Sequence, residues 1–546
     1  MDEEDIFRKL GFGLKFNVKR FEEDARRVHL VSSKPSIPVS EPCDDLTFFQ
    51  KPKNNSVRKR KIPSADDDVC GKIAKTDDQM KTSRKQHRIF VEGTDVPGIV
   101  STFKQLQSTH SINETCIEAI TEKMGFKTLT PIQMQAIPAL LHGREVLACA
   151  PTGSGKTLAF LLPVINHVLN RLRIRKKGTN RGFLALVLSP TRELAKQTLQ
   201  ECNQLTRRFV GGKPAEELLN VKLLDRSQIE RFTKVGKKHS KKMDILISTP
   251  NSIVYLLEHD PPLISLEGVE RLVVDESDKL FEEGKEGKSF REQLGKVYAS
   301  CNNPSVRRAM FSATFAHDVQ QWCLLNMDNV LQITIGGKNT AVRSVEQEMR
   351  FVGNENGKLL ALQQLIQQGF SPPILIFVQS KDRAKQLFAE LIYDGKNIDA
   401  IHADRTAAQR EEAVKRFRKG ETWILICTEL MGRGIDFKGV NLVINYDFPS
   451  SAVSYIHRVG RTGRAGRRGR AVTFFTDEDR PMLRSIANVI KEAGCEIPEY
   501  MLKLKKPSRK EQRALACHQV RRENIRSTPA DILNKKRFQN QPKAAA

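Results

Sequence analysis

The sequence predicts an α/β protein: two tandem domains, each built on a parallel sheet, joined by a short linker and flanked by extensions. Three observations predict this. Short apolar runs rich in β-branched residues alternate with helix-patterned segments through residues 101–490, and strand-helix alternation implies parallel sheets. The runs show little inside-outside alternation, as expected of strands covered on both faces. A break at Gly336-Gly337-Lys338-Asn339-Thr340 parts them into two sets.

The first set comprises Glu145–Ala150, Phe183–Ser189, Asp244–Ser248, Arg271–Val274 and Arg308–Ser312. The second comprises Ile374–Val378, Ile398–His402, Trp423–Cys427, Leu442–Tyr446 and Arg470–Phe475. The expected layout is a mostly disordered extension over 1–100, a first domain over 101–335, a linker over 336–345, a second domain over 346–490 and a basic tail over 491–546. From Ser32 onward the extension scatters Pro, Ser, Lys and Asp without periodicity. Before it, Phe7, Leu10, Phe12, Leu14, Phe16 and Phe21 punctuate a charged segment, either a short docking element or a frayed terminus.

Charge narrows the partners. The 546 residues carry 90 Lys and Arg against 64 Asp and Glu, a net +26. Such a balance points to a polyanion, nucleic acid before an anionic membrane. Residues 501–546 hold 13 basic and 3 acidic residues, residues 1–100 hold 20 and 17. The tail reads as a nucleic-acid arm or a solubilising segment. Arg58-Lys59-Arg60-Lys61 reads as a nuclear-targeting run or an incidental one. No apolar run reaches the length of a membrane span, and the acidic start Met1-Asp2-Glu3-Glu4-Asp5 does not resemble a secretory signal. The ten cysteines form no Cys-x-x-Cys pair, which argues against a structural zinc module or a disulfide framework.

The chemistry falls at expected strand ends, where open α/β sheets bind ligands. Ala150-Pro151-Thr152-Gly153-Ser154-Gly155-Lys156-Thr157 follows a strand and opens a helix. Its glycines let backbone N–H groups wrap a phosphate. Lys156 would reach the β- and γ-phosphates, and the Thr157 hydroxyl would bind Mg²⁺. The generic pattern opens with Gly where this chain has Ala150. Asp275-Glu276-Ser277-Asp278 ends a buried strand. Asp275 suits a Mg²⁺ ligand acting largely through water, and Glu276 suits orientation of the attacking water. The bland alternative is a helix-capping cluster.

At these residues the chain resembles the DEAD-box ATP-dependent RNA helicases, with Asp275-Glu276-Ser277-Asp278 in place of Asp-Glu-Ala-Asp. The resemblance covers about residues 101–490 and implies two RecA-like domains. Gly125-Phe126 with Thr130-Pro131-Ile132-Gln133 resembles the adenine-reading motif, with Gln133 on the adenine edge, Phe126 against the base and Phe103 as upstream aromatic. Pro190-Thr191-Arg192 and Thr249-Pro250 match first-domain RNA contacts. Asn251-Ser252 stands where the family has Gly-Arg, which removes one RNA-facing charge. Ser312-Ala313-Thr314 matches the motif that couples hydrolysis to unwinding by bonding the acidic strand end at Asp278. Ser380 and Arg410 match second-domain RNA motifs. Thr428 with Gly432 and Asp436 matches a motif facing both ligands, with Thr428 and Gly432 on the RNA and Asp436 at the ribose. His457-Arg458-Val459-Gly460-Arg461-Thr462-Gly463-Arg464 matches the arginine motif: Arg461 and Arg464 meet the γ-phosphate, and His457 joins the coupling set.

A narrower resemblance, carried by residues 7–16, 91–95, Ser277 and 310–323, points to the branch that assembles the small ribosomal subunit in the nucleolus. It implies pre-ribosomal RNA and small nucleolar RNA duplexes as substrates, assembly factors as partners, and ATP and Mg²⁺ as cofactors. Residues 171–181 form a basic stretch, either an RNA-contacting loop or a solvated connection. The leading expectation is an RNA-stimulated ATPase that separates short duplexes or remodels RNA–protein complexes. The alternative is an ATP-gated RNA clamp or scaffold whose hydrolysis is dispensable. A DNA helicase resembles the motif set less.

Overall fold

The structure is a computed structural model that describes residues 80–174, 182–211, 213–280, 289–314, 317–337, 344–392, 397–428, 437, 439–464, 467–505 and 522–525. The first domain is an eight-stranded sheet flanked by helices. Its strands are β1 (Ile89–Glu92), β2 (Val146–Cys149), β3 (Ala185–Leu188), β6 (Val221–Leu223), β7 (Ile245–Ser248), β8 (Arg271–Val274), β9 (Arg307–Ser312) and β10 (Leu331–Ile335). They lie in the order β1-β10-β2-β9-β8-β3-β7-β6. Every pairing is parallel except β1 on β10. A separate hairpin joins β4 (Arg207–Val210) and β5 (Lys213–Glu217). The second domain is all parallel: β11 (Val345–Phe351), β12 (Ile374–Val378), β13 (Ile398–Ile401), β14 (Ile424–Thr428), β15 (Leu442–Asn445) and β16 (Gly469–Phe475), in the order β11-β16-β15-β12-β14-β13.

The strand period of two explains why these sheets read as continuous apolar runs. Val146, Ala148, Val187 and Val273 enter one core, while Leu147, Leu186, Leu188, Leu272 and Val274 enter another on the opposite face. In the second domain Leu375, Phe377, Leu425 and Val443 part from Ile374, Ile376, Ile424 and Ile444 in the same way. Each such buried aliphatic side chain contributes roughly 1.5–3 kcal/mol. All ten expected strands are present: Arg271–Val274 and Ile374–Val378 as expected, Arg307–Ser312 and Gly469–Phe475 one residue longer, Ile424–Thr428 shifted by one, and the other five trimmed at their ends. Unforeseen were β1, β4, β5, β6, β10 and β11. Polar residues interrupt β10 (Gln332, Thr334) and β11 (Glu346, Gln347, Glu348), so neither forms an apolar run.

Two expected boundaries move. Residues 80–100, assigned to the N-terminal extension, belong to the first domain. There β1 covers the open edge of β10, Ile99 and Val100 are buried, and Arg84 bonds Gln135 Oε1 at 2.9 Å. An uncovered strand edge is a pairing hazard, which β1 relieves. The tail also begins later than residue 491. The helix Glu499–Lys503 buries Met501 in the second-domain core. Farther on, Ile525 is buried beside Leu362 and Ile376, and Arg522 enters an ion cluster with Glu355, Asp447 and Asp479.

Candidate functional site

The phosphate-binding sequence folds as a loop between β2 and the helix Lys156–Ile174. Gly153 and Gly155 take φ of +76° and +89°, which glycine alone adopts at little cost. Packing also selects Gly155, where a Cβ would come within 2.4 Å of Gln133 Nε2. Lys156 Nζ donates to the carbonyls of Ala150 (2.7 Å) and Pro151 (3.0 Å). Burial pushes its ammonium below the usual lysine range, opposed by Asp275, Glu276 and Asp278. Thr157 opens the helix half-buried, and Ser154 Oγ is buried without a hydrogen-bond partner. Thr130 is the N-cap of the helix Pro131–Leu141, and the Gln133 side chain folds back onto its backbone, while Thr130 Oγ1 is buried without a hydrogen-bond partner. Gln133 Oε1 accepts from Thr130 N and its Nε2 donates to Gly155 O, each at 3.0 Å. One N–H and one lone pair of the amide stay available for a base. Phe126 is 43% exposed. Phe103, read as the motif's upstream aromatic, is buried in the same apolar cluster as Ile132.

The acidic residues follow β8 directly. Asp275 is 4% exposed. Burial, then the neighbouring Glu276, raises its carboxyl to about 7, against the opposing pull of Lys156 and the Glu276 N–H at 2.9 Å. Glu276 holds φ +47°, a strain of about 1 kcal/mol for a residue with a side chain. Its Oε2 is buried without a hydrogen-bond partner, and so is the Ser277 hydroxyl. Asp278 is satisfied. It accepts from Ser312 Oγ (2.8 Å), Thr314 Oγ1 (3.0 Å) and His457 Nε2 (2.5 Å).

That last bond joins the domains. The helix Ala452–Val459 carries His457 to Asp278, and the next turn meets the phosphate loop. Thr152 Oγ1 donates to Gly460 O at 2.9 Å. A Cβ on Gly460 would fall 2.0 Å from that hydroxyl. Arg461 is 3% exposed and donates to His457 O at 3.1 Å. Arg464 donates to Gly460 O at 2.9 Å, and its stem lies on Gly153, where a Cβ would meet Arg464 Cγ at 3.2 Å. Asp436 and Gly432 lie outside the described residues.

Among the described residues assigned to RNA, Pro190, Thr191, Arg192, Thr249, Pro250 and Ser380 come just after strands, Thr428 ends one, and Arg410 lies in the helix Ala407–Lys419. Pro190 is buried, Thr191 caps the helix Arg192–Thr206 and Arg192 is exposed in its first turn. Thr249 and Pro250 begin the helix Pro250–Leu257, with Thr249 Oγ1 3.0 Å from Ser252 Oγ. Ser380 Oγ accepts from Arg383 N at 3.2 Å, and Thr428 ends β14 half-buried. Arg410 crosses the domains to Glu193 at 2.8 Å, beside Lys196 and Glu411 at 2.6 Å. Glu193 falls in the same sequence motif as Thr191 and Arg192, but its pairing with Arg410 was not foreseen, because the partner is remote in the chain and no local pattern announces the pair.

Among the described residues no group of three His, Cys, Asp or Glu is placed to hold a metal, and no helix is long and apolar enough to cross a membrane. Family models match twice: DEAD/DEAH box helicase over residues 130–322 and helicase conserved C-terminal domain over 357–466. The probable ATP-dependent RNA helicase DDX52 of Mus musculus is 47% identical, over 98% of this chain and 96% of its own. The ATP-dependent RNA helicase ROK1 of Saccharomyces cerevisiae is 40% identical over 88% and 83%. Among solved structures, S. cerevisiae Dbp5 bound to RNA and ADP BeF3 matches with TM-score 0.58 at 25% identity, over 75% of this chain and 98% of its own. Mss116p bound to ssRNA and AMP-PNP matches with TM-score 0.62 at 27% identity, over 74% and 81%. Near-full-length identity of this degree, with both helicase models in register, means that the chain belongs to the DEAD/DEAH box helicase family, on the branch of the DDX52 helicases.

Proposed function

We infer that the chain is an ATP-dependent RNA helicase whose hydrolysis site is assembled between its two domains. The observation that carries this is the junction itself: His457 on Asp278, Gly460 on Thr152 and Arg464 over Gly153. Phosphoryl transfer needs charge placed around the γ-phosphate more than covalent chemistry. The loop Ala150–Thr157 holds the phosphates by its N–H groups and Lys156. Phe126 and Gln133 take the adenine, and Asp436 the ribose. Arg461 and Arg464 bring fixed positive charge from the second domain, and Glu276 orients the attacking water.

A divalent cation fits this donor set. Asp275 is buried with a raised pKa, and Glu276 Oε2 is buried and unpartnered, so a hard cation would supply the missing charge. Mg²⁺ typically takes one or two carboxylates plus phosphates and keeps waters. Thr157 and Asp275 would hold it, largely through water, where it neutralises phosphate charge.

Asp278, Ser312, Thr314 and His457 couple the nucleotide to the RNA surface, because one carboxylate binds all three partners. Pro190, Thr191, Arg192, Thr249 and Pro250 contact RNA from the first domain, Ser380, Arg410, Thr428 and Gly432 from the second. Contacts to phosphates and 2′-hydroxyls read little sequence, which suits local separation of short duplexes. The resemblance to a ribosome-assembly branch supports pre-ribosomal RNA and small nucleolar RNA duplexes as substrates, ribosome assembly factors as partners, and action in the nucleus and nucleolus.

Steady-state ATP hydrolysis by wild type and Glu276→Gln, with single-stranded RNA and with DNA, tests this reading. Stimulation by RNA alone, abolished in the variant while ATP-dependent RNA binding persists, is expected. RNA-stimulated turnover that survives in Glu276→Gln would sink the assignment of Glu276. ATP-dependent RNA binding with no stimulation in wild type would favour the clamp.

A further inference from the structure

At the amino ends of its strands, opposite the phosphate loop, the first domain has a polar cavity of about 390 Å³. Arg271 and Arg307 form its floor. They open β8 and β9 and stand directly opposite each other in the parallel ladder. Both also border a small apolar space with Leu140, Pro163 and Val164, so both leave the same face of the sheet. Glu270, His167 and Arg171 form a wall.

The one carboxylate is already committed. Arg171 grips Glu270 with two bonds, at 2.7 and 2.5 Å, and His167 Nε2 lies 2.8 Å from it. Burial holds His167 down at about 4, so it is neutral at physiological pH. Arg271 donates to Glu270 O (2.8 Å), and Arg307 donates to Val306 O (3.1 Å). A guanidinium carries five N–H donors, so among the described residues most donors of each of these cavity-lining arginines have no protein acceptor. Burial lowers the Arg271 guanidinium to about 10; Glu270 opposes this, and Arg307 adds to it. Like charges directly opposite in a ladder destabilise it, so stability gives no reason for this pair.

We propose that this cavity is a second RNA contact, holding a phosphodiester of a strand segment beyond the one bound at the carboxyl ends of the strands. Paired guanidinium forks match phosphate geometry. Three arginines against one carboxylate leave an excess positive charge for an anion to neutralise. Arg171, on this rim, is also the first residue of the basic stretch 171–181, of which residues 175–181 lie outside the described residues. Arg271 lies roughly 13 Å along β8 from Asp275, so RNA reaches the cavity only by continuing over the domain edge. This rests on the RNA-helicase reading.

The test uses the full chain and the variant Arg271→Gln/Arg307→Gln, with single-stranded RNAs of about ten and about forty nucleotides, the first within and the second well above the roughly 4–16 nucleotides of a typical single-strand site. The variant is expected to lose about fivefold in affinity for the longer RNA and to show a shallower salt dependence, because fewer counterions are released. Its affinity for the short RNA, and its ATPase rate at saturating short RNA, should match wild type. Equal loss for both lengths, or no loss for either, overturns the proposal. Unchanged binding of long RNA together with competition by polyglutamate also overturns it, in favour of an acidic protein segment. A wild type that ignores the short RNA fails the helicase reading instead. Arg307→Gln alone serves as the second variant if the double one misfolds. Removing a repelling pair should leave the thermal midpoint at or above wild type.

Discussion

Asp275 and Asp447 occupy comparable places, each buried just past the end of a parallel strand in its own domain. Their surroundings differ. Asp447 accepts from Arg383 Nε (2.7 Å) and Nη2 (2.6 Å), from Gln379 N (2.8 Å) and from Lys358 Nζ (3.2 Å). Although burial alone would raise it, Lys358, Arg383 and Arg522 hold it down at about 2. Asp275 has one backbone N–H and an opposing lysine, and sits at about 7. One carboxylate is completed by the fold, the other is left for something to bind. A buried ionisable group therefore marks a site only when its environment fails to satisfy it.

The sharpest way to break the comparison is Asp447→Asn. Glu355, Asp447 and Asp479 face Lys358, Arg383 and Arg522 in one cluster. Losing one member leaves an uncompensated buried cation, at about 3–5 kcal/mol. Urea unfolding should show this in the second domain. The sign with pH also follows. The folded pKa is depressed from 3.8 to about 2, so the stabilisation is fully present above the unfolded value. It is lost as pH falls through about 2, and its size is roughly 2 kcal/mol. A wild type and variant of equal stability at neutral pH would refute the assignment.

Arg522→Gln should follow, at about 2–3 kcal/mol, less because the short segment Arg522–Ile525 can withdraw and admit water. Arg522 donates to Gln379 Oε1 (2.8 Å), Glu355 Oε1 (2.9 Å) and Asp479 Oδ1 (2.7 Å). Truncation after residue 505 should cost at least as much. A basic tail that served RNA alone would weaken RNA binding and leave the unfolding midpoint in place, which separates the two roles.

Here the limits of sequence reading are plain. The apolar runs of β2, β3 and β12 and the phosphate loop are legible because their chemistry is local. The Thr130-Pro131-Ile132-Gln133 motif is legible for the same reason, being four consecutive residues. Arg522 looks like one more basic residue in a charged tail, and nothing near it names Glu355 or Asp479. The same holds for Glu193 with Arg410, and for Arg271 opposite Arg307. The last pairing arises from the topology that brings strands 36 residues apart into register, and the other two from tertiary packing between segments remote in the chain.

Asp275→Asn should act in the opposite sense from Asp447→Asn. The folded pKa is raised from 3.8 to about 7, so ionisation costs the fold stability as pH rises between those values. Replacing the carboxylate should stabilise the first domain by about 1–2 kcal/mol at pH 8, since a buried carboxylate with weak compensation is expensive. ATP turnover should be lost in the same variant. A lower thermal midpoint in Asp275→Asn would mean that the carboxylate is satisfied by the fold after all, and the contrast with Asp447 would collapse.

The smallest expected effect isolates the hydroxyl that sets this chain apart from Asp-Glu-Ala-Asp. Ser277 is fully buried and its Oγ has no hydrogen-bond partner. An unmatched buried hydroxyl costs about 1–3 kcal/mol, so Ser277→Ala should raise stability by about 1 kcal/mol, because the alanine methyl fills nearly the same space. The neighbouring carboxylates keep their places, so RNA-stimulated turnover should be unchanged. A turnover loss without a stability gain would show that the hydroxyl is held for the reaction, as the unpartnered Glu276 Oε2 beside it is proposed to be. Ser277 would then belong with Asp275 among the groups that the fold leaves incomplete.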